Sequence, residues 1–150
     1  MLMIDFFLRN SAWSAPAVAI VEVIPNVELA PLHNAPDYLV GVCNLRGRVL
    51  PVIDLTLWIT GKKSRDRMHT RIMIVELEIQ KRTELIGIRA EKIVAMSDRE
   101  KKDFSFVKTG EREPFFVEGI CAKEEKIRRL LSFDKFAQAV DPLLFLETGS

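Results

Sequence analysis

Residues that bind metals or perform catalysis are scarce in this sequence. Two cysteines and two histidines occur in 150 residues, and they do not stand at the spacing of a zinc site or a disulfide framework. Cys43 and Cys121 lie within apolar runs, so we expect buried free thiols. A phosphate-binding glycine loop and a serine in a nucleophile elbow are also missing. The sequence therefore predicts no catalytic residue, no metal site and no cofactor, and hence no enzyme.

Neither sign of charge is in clear excess. The net charge is +1, whereas nucleic-acid-binding domains usually carry a basic face. The densest basic run, Lys62–Arg67, is short and is interrupted by Asp66. We interpret this run as a solvated loop and expect no nucleic-acid partner.

Long apolar segments are missing as well. The stretch at the N terminus, Met1–Leu8, contains Asp5 and has no basic residues before it. A signal peptide would need a basic leader, and a membrane span would need a longer uninterrupted apolar run. We therefore expect no membrane insertion and a cytoplasmic location.

The strongest structural signal in the sequence is a β-hairpin. Its strands are predicted over Tyr38–Cys43 and Arg48–Leu55, joined by Asn44–Gly47. Asparagine can bond to nearby backbone and glycine tolerates a positive φ, so this connection suits a short turn. The second strand is apolar on both faces and must be covered twice, by a second lobe or by a partner. Pro51 within it predicts a sheet edge or a bulge.

Features of this hairpin recur near the C terminus. Five residues return 78 positions later: Pro36, Gly41, Cys43, Val49 and Ile53 as Pro114, Gly119, Cys121, Ile127 and Leu131. An Ile-Val pair precedes each hairpin, at residues 20–21 and 93–94. The sequence therefore predicts a diverged repeat and two similar β-lobes, each too small to be very stable alone.

The rest of the chain adds strands and two irregular segments. Further strands are predicted over Met1–Leu8, Trp13–Ile24, Ile72–Ile79, Glu84–Arg89 and Ile93–Met96, and the run Trp13–Ile24 is broken at Pro16. Residues 97–113 are rich in charge and are predicted to form a long loop. A short helix is predicted over Lys135–Ala139, capped by Asp134. Residues 140–150 form a C-terminal tail, whose apolar residues 143–146 either dock on the body or bind a partner.

The hairpin and the residues before it carry the signature of a known family. The matching segments are Val21-Glu22-Val23-Ile24-Pro25, Pro36-Asp37-Tyr38, Gly41-Val42, Asn44-Leu45-Arg46-Gly47 and Pro51-Val52-Ile53-Asp54-Leu55. They resemble the CheW-like family of chemotaxis coupling, or adaptor, proteins, and the resemblance continues in register to about Phe136. It implies an all-β, mainly antiparallel fold. Residues 1–150 would form a single domain of two intertwined, five-stranded, barrel-like lobes packed together, with short helices.

The resemblance also implies a function. CheW-like proteins are non-catalytic adaptors that couple the cytoplasmic hairpin tips of methyl-accepting chemoreceptors to a CheA-type histidine kinase, in chemotaxis or a related chemosensory pathway. Their lobes also mediate association with one another. The family's partner-binding positions correspond here to Ile20, Glu22, Gly41 and Arg46. Those that shape the supporting hairpin correspond to Asn44, Leu45 and Gly47.

Several alternatives stay open. Arg46 is either a solvated charge or an ion-pair partner of Glu22, and Gly41 is either a packing residue or a point where another chain's backbone approaches. The second lobe departs from the family pattern at residues 80–83, 90–93 and 123–126 and at Ser132, which suits a specialised adaptor as well as a standard one. The alternative function is a CheW-like barrel that self-assembles or binds a small ligand, without kinase coupling.

Overall fold

Strands dominate the fold, with two short helices between them. A computed structural model describes residues 1–106, 113–122 and 127–145. The elements are β1 (Leu2–Leu8), β2 (Ser11–Pro16), β3 (Ile20–Pro25), β4 (Leu39–Leu45), β5 (Arg48–Asp54), α1 (Leu55–Thr60), β6 (Arg71–Ile79), β7 (Arg82–Ala90), β8 (Lys92–Asp98), β9 (Ser105–Phe106), β10 (Val117–Cys121), β11 (Arg128–Leu131) and α2 (Phe133–Ala139). Among the described residues, no helix is long and apolar enough to cross a membrane.

The strands form two sheets, which define two lobes. Lobe 1 has the order β3-β6-β7-β5-β4, and lobe 2 has the order β8-β1-β2-β11-β10-β9. Within lobe 2, the parallel pairing of β2 with β11 joins the two ends of the chain. The predicted all-β, two-lobed fold is confirmed, with a two-residue strand, β9, as a sixth strand in lobe 2. The assignment of residues 80–83 to the second lobe is wrong, because they connect β6 to β7 within lobe 1.

Strand β9 falls inside the segment predicted as a long loop, residues 97–113. That segment also contains the end of β8 and a 3-10 turn over Lys101–Asp103. Its residues 107–112 lie outside the described part of the chain, as does the predicted turn at 123–126. Phe104, beside β9, is buried in the interior of lobe 2.

The predicted repeat is confirmed by strand register. In the β4–β5 hairpin, the paired residues are Leu39 with Ile53, Gly41 with Val52 and Cys43 with Leu50. In the β10–β11 hairpin, they are Val117 with Leu131, Gly119 with Leu130 and Cys121 with Arg128. Every residue of the second set follows its counterpart by 78 positions. Both hairpins also carry a bulge at the same point, before the glycine. The two lobes are therefore built on one plan.

Each hairpin runs into a helix through equivalent capping residues. The Asp54 side chain accepts a hydrogen bond from Leu57 N at 3.1 Å, and the Ser132 side chain accepts one from Lys135 N at 3.2 Å. Such bonds satisfy backbone N–H groups that the first helical turn leaves free. Helix α2 thus begins two residues earlier than predicted, and the predicted cap at Asp134 is wrong because Ser132 occupies that role.

The doubly apolar strand β5 contributes to two separate cores. Leu50 and Val52 pack in the interior of lobe 1, whereas Ile53 packs in the core shared by both lobes. This confirms that a second lobe covers the hairpin. Pro51 marks neither a sheet edge nor a bulge: β5 lies between β4 and β7, and the bulge of this hairpin lies in β4, between Leu39 and Gly41. Strand β7 pairs only with residues 52–54, so Pro51 lies outside that parallel ladder.

Four aromatic rings connect the lobes. Tyr38 stacks on Trp58 with ring centroids 3.8 Å apart, and Trp58 contacts Phe116 and Phe136 of lobe 2 at 5.1 and 5.9 Å. Tyr38 and Phe116 are repeat equivalents, as are Trp58 and Phe136. Trp58 is therefore the central ring of a cluster that holds the two lobes together.

The start of the C-terminal tail docks on this cluster. Asp141 N donates a hydrogen bond to the Tyr38 hydroxyl at 2.9 Å, and Leu144 and Phe145 pack against the shared core. Leu143 remains 67% exposed. The docking alternative thus holds for residues 144–145, while Leu146 and the residues after it lie outside the described ranges.

Lobe 2 has a charged interior where lobe 1 is apolar. Asp5 is 6% exposed and accepts hydrogen bonds from Ser14 Oγ at 2.6 Å and from Arg99 Nη2 at 3.0 Å. Arg128 Nη1 lies 3.7 Å from the same carboxylate. In lobe 1 the corresponding position is Ile74, because Asp5 on β1 and Ile74 on β6 lie next to the equivalent bulge in their pairing with β8 and β3. Burial raises the pKa of Asp5, but hydrogen bonds from Arg99 and the serines outweigh it, so the pKa is lowered overall.

The buried Asp5 carboxylate makes the stability of lobe 2 dependent on pH. Because the folded-state pKa lies below the ordinary value of 3.8, ionised Asp5 favours the folded protein above that pH. Its contribution is lost as the pH falls through the folded-state pKa. We expect Asp5→Asn to lower the free energy of unfolding at pH 7 and to flatten its fall towards pH 3, measured by urea unfolding. The exposed Asp37→Asn is the control, and parallel pH profiles for wild type and Asp5→Asn would contradict the prediction.

Candidate partner-binding site

The β4–β5 turn is a two-residue connection that projects one arginine. Leu45 pairs with Arg48, which leaves Arg46 and Gly47 as the turn residues, both with positive φ (51° and 85°). Two positive φ values match the twist of a hairpin, and glycine adopts one at little cost. Asn44 Oδ1 accepts a hydrogen bond from Gly47 N at 2.8 Å, and Leu45 packs on the lobe 1 interior.

Arg46 forms a bidentate ion pair with Glu22 on β3. Arg46 Nη1 donates to Glu22 Oε1 at 2.6 Å, and Nη2 donates to Oε2 at 2.9 Å. The hydrogen bond from Arg46 lowers the pKa of Glu22, and the hydrogen bond to Glu22 raises the pKa of Arg46. Arg46 stays 72% exposed. The ion-pair alternative is therefore the observed one, and the arginine is still accessible to a partner.

This ion pair spans the two edges of one sheet. Strands β3 and β4 are the first and last strands in the order of lobe 1, yet Arg46 at the end of β4 reaches Glu22 on β3. The sheet must curl for these ends to meet, which is the geometry of a barrel-like lobe. The ion pair therefore joins the two edges of the lobe 1 sheet and also lies at the protein surface.

Ile20 lies next to Glu22 in the same edge strand. A bulge interrupts the pairing with β6 between the two residues, but burial still alternates along β3, with Ile20 and Glu22 on the less exposed side. Ile20 is half-buried and packs against the shared core. The outward residues Val21 and Val23 are 53% and 42% exposed, so the edge strand presents an apolar surface beside the ion pair.

Gly41 lies away from this surface and is buried. A Cβ at this position would lie 2.7 Å from Ala30 O and 2.9 Å from Leu29 Cβ, and the φ of 154° is unfavourable for other residues. Ala30 N and O both bond to Val42, at 2.9 and 2.8 Å. The backbone that approaches Gly41 thus belongs to the same chain. Sequence reasoning missed this contact because the segment 26–35 shows no strand pattern.

The predicted site residues therefore form one surface group and one buried group. Glu22 and Arg46 are joined directly, Ile20 lies beside them, and Gly41 lies under the 29–30 segment. Val42 lines a separate groove of the hairpin, about 340 Å³ in volume, together with Val49 and Phe145. Among the described residues, no group of three or more histidine, cysteine, aspartate or glutamate side chains is arranged to hold a metal ion.

Comparisons with known proteins agree over most of the chain. Residues 3–141 match the family model described as the CheW-like domain. A chemotaxis protein CheW from Rhizobium meliloti is 26% identical over 135 residues, which cover 88% of this chain and 84% of that protein. A chemotaxis protein CheW from Helicobacter pylori is 31% identical over 72 residues, and the match spans only 44% of its length.

Two further relatives extend this picture. Protein FrzA from Myxococcus xanthus is 34% identical over 59 residues, covering 39% of this chain and 37% of FrzA. The crystal structure of the scaffolding protein TtCheW from Thermoanaerobacter tengcongensis superimposes with a TM-score of 0.77 at 22% identity. That likeness covers 99% of this chain and 90% of TtCheW, and it establishes a shared fold.

Proposed function

This chain belongs to the CheW-like family of chemotaxis adaptor proteins, and we propose that it couples chemoreceptor signalling tips to a CheA-type histidine kinase. It acts as a non-catalytic scaffold in the cytoplasm. The observation that carries the proposal is the Arg46–Glu22 pair, a fixed and exposed charge beside the apolar edge of β3. Charge-assisted, bidentate geometry fixes an arginine more firmly than a solvated side chain, as an interface residue requires.

The surface group Ile20, Glu22 and Arg46 contacts a partner directly in this proposal. Half-buried apolar side chains next to a positioned charge suit the amphipathic helix of a receptor tip. Gly41 acts indirectly, because its lack of a side chain lets the 29–30 segment pack under the hairpin. Asn44, Leu45 and Gly47 set the turn that carries Arg46.

Charge reversal at the hairpin tip tests the proposal. We expect Arg46→Glu to reduce co-sedimentation with a CheA-type kinase and a soluble receptor signalling fragment by at least about tenfold. The unfolding free energy should change by less than about 1 kcal/mol, because exposed ion pairs contribute little to stability. Lys81→Glu is the matched control: Lys81 is also exposed and also has a positive φ, 64°, in a hairpin turn of lobe 1.

A double variant tests whether Arg46 contacts the partner directly or acts only through its ion pair with Glu22. Glu22→Arg combined with Arg46→Glu keeps an ion pair but reverses both charges. We expect it to be as stable as the wild type and to assemble no better than Arg46→Glu. If assembly returns, Arg46 acts through the shape of the lobe. If wild-type protein binds neither the kinase nor the receptor fragment, the adaptor proposal is wrong, and self-assembly becomes the function to test.

A further inference from the structure

The α1–β6 connection, predicted as a solvated loop, is held by buried hydrogen bonds. Asp54 Oδ2 accepts bonds from Ser64 N and Ser64 Oγ, both at 2.8 Å. Thr70 is fully buried and bonds to Arg65 O and Arg67 N through its hydroxyl. The loop therefore has a fixed backbone, and its basic side chains project from fixed positions.

These basic side chains meet others from distant parts of the chain. A cavity of about 300 Å³ is lined by Phe7, Arg9, Arg65, Arg67, His69, Glu91 and Lys92. Four permanent cations face one carboxylate, which leaves a local charge of +3 in a chain whose net charge is +1. Such a concentration of positive charge attracts anions strongly.

The single carboxylate is already neutralised. Glu91 is 5% exposed and accepts bonds from Arg65 N at 2.6 Å and from Arg65 Nη2 at 2.9 Å. Burial raises the pKa of Glu91, but the hydrogen bonds from Arg65 and the charges of Arg65 and Arg9 outweigh it, so the pKa is lowered overall and the group stays ionised. Arg9, Arg67 and Lys92 are therefore left to act on a ligand.

These three cations have unused donors. Arg9 Nη2 donates to Lys63 O at 2.9 Å, but its buried Nε has no acceptor among the described residues. Arg67 and Lys92 are exposed, and their side chains make no ion pair within the described ranges. Buried donors without a partner are unfavourable, and an anion in this cavity would add an acceptor beside the Arg9 guanidinium.

We propose that this cavity binds a compact phosphate-class anion, either a phosphate ester or an inorganic polyphosphate. A phosphate group carries nearly two negative charges and three acceptor oxygens in a small volume, which matches +3 in about 300 Å³ better than single carboxylates do. Arginine forks suit phosphate geometry, and the half-buried Phe7 ring offers an apolar wall for an ester substituent. This site is independent of the adaptor role and lies apart from Arg46.

Titration of the full chain with three probes tests the site. Inorganic phosphate, pyrophosphate and phenyl phosphate are followed by isothermal calorimetry and amide NMR shifts. We expect saturable binding that weakens with added salt. Tighter binding of phenyl phosphate than of phosphate would identify an ester as the ligand class, and tighter binding of pyrophosphate would identify a polyphosphate.

A charge-reversal variant locates the binding. Arg67→Glu combined with Lys92→Glu should weaken binding at least about tenfold, because both charge-assisted contacts are lost. Lys102→Glu, an exposed lysine of lobe 2, is the single-site control and should bind as wild type. Any of three results would overturn the proposal: no saturation by about 10 mM probe, equal binding by the double variant, or binding of an acidic peptide but of none of the phosphates.

Discussion

A Trp58→Ala variant should lose about 3 kcal/mol of unfolding free energy, the lower end of the range for truncating large aromatic side chains in a core. Trp58 is half-buried, but its ring contacts Tyr38, Phe116 and Phe136. Truncation would open a cavity between the lobes and leave each with an apolar surface that it cannot cover alone. Urea unfolding followed by circular dichroism measures the loss.

The neighbouring Ile59→Ala supplies the control for this experiment. Ile59 lies on the same helix and is 36% exposed, so we expect a change within about 1 kcal/mol. A second readout is cooperativity: if the ring cluster couples the lobes, Trp58→Ala should broaden the transition or divide it into two. Equal effects of the two substitutions would show that the cluster does not hold the lobes together.

Gly41→Ala should destabilise the protein by about 3 kcal/mol, since backbone strain and overpacking each cost about 1–3 kcal/mol. The added methyl group would lie 2.7 Å from the Ala30 carbonyl oxygen. Relief of that contact requires the 29–30 segment to leave the hairpin, with loss of its two hydrogen bonds to Val42. Thermal and urea unfolding would both detect this.

Alanine variants of two other glycines distinguish the cost of backbone strain from the cost of a steric clash. Gly47 has a φ of 85° but open space around it, so Gly47→Ala should cost about 1 kcal/mol from strain alone. Gly119, the repeat equivalent of Gly41, would place a Cβ 2.9 Å from Ser105 O without a positive φ, so Gly119→Ala isolates the collision. A cost for Gly41→Ala no larger than that for Gly47→Ala would show that the 29–30 segment gives way easily.

Local patterns in the sequence predict much of the fold. The hairpin, its turn residues and the 78-residue offset are all signals within short segments, and their register appears in the structure. The association of Arg46 with Glu22 was one of two alternatives. Choosing between them requires knowledge of how the lobe 1 sheet curls, because this curl brings the ends of β3 and β4 together.

Contacts between distant segments could not be predicted in this way. The parallel pairing of β2 with β11 joins residues 12–14 to residues 128–130, and nothing in either strand specifies the other. The basic cavity has the same origin. Arg9 lies in the β1–β2 turn, Arg67 in the α1–β6 connection and Lys92 at the start of β8, and only the folded chain brings them together. The hydrogen bonds from Ser64 to Asp54 likewise depend on the path of the α1–β6 connection, which no local pattern specifies.

The intertwined topology determines when each lobe can be completed during protein synthesis. All strands of lobe 1 lie between residues 20 and 90, so that sheet is present in the nascent chain before the last third is translated. The hairpin β1–β2 is synthesised before all the strands of lobe 1, yet its neighbour β11 is synthesised after all of them. The β1–β2 hairpin must therefore wait for β11. A ribosome that stops short of residue 128 releases a lobe 1 that has all its strands and a lobe 2 that lacks β11, with the core between the lobes incompletely covered.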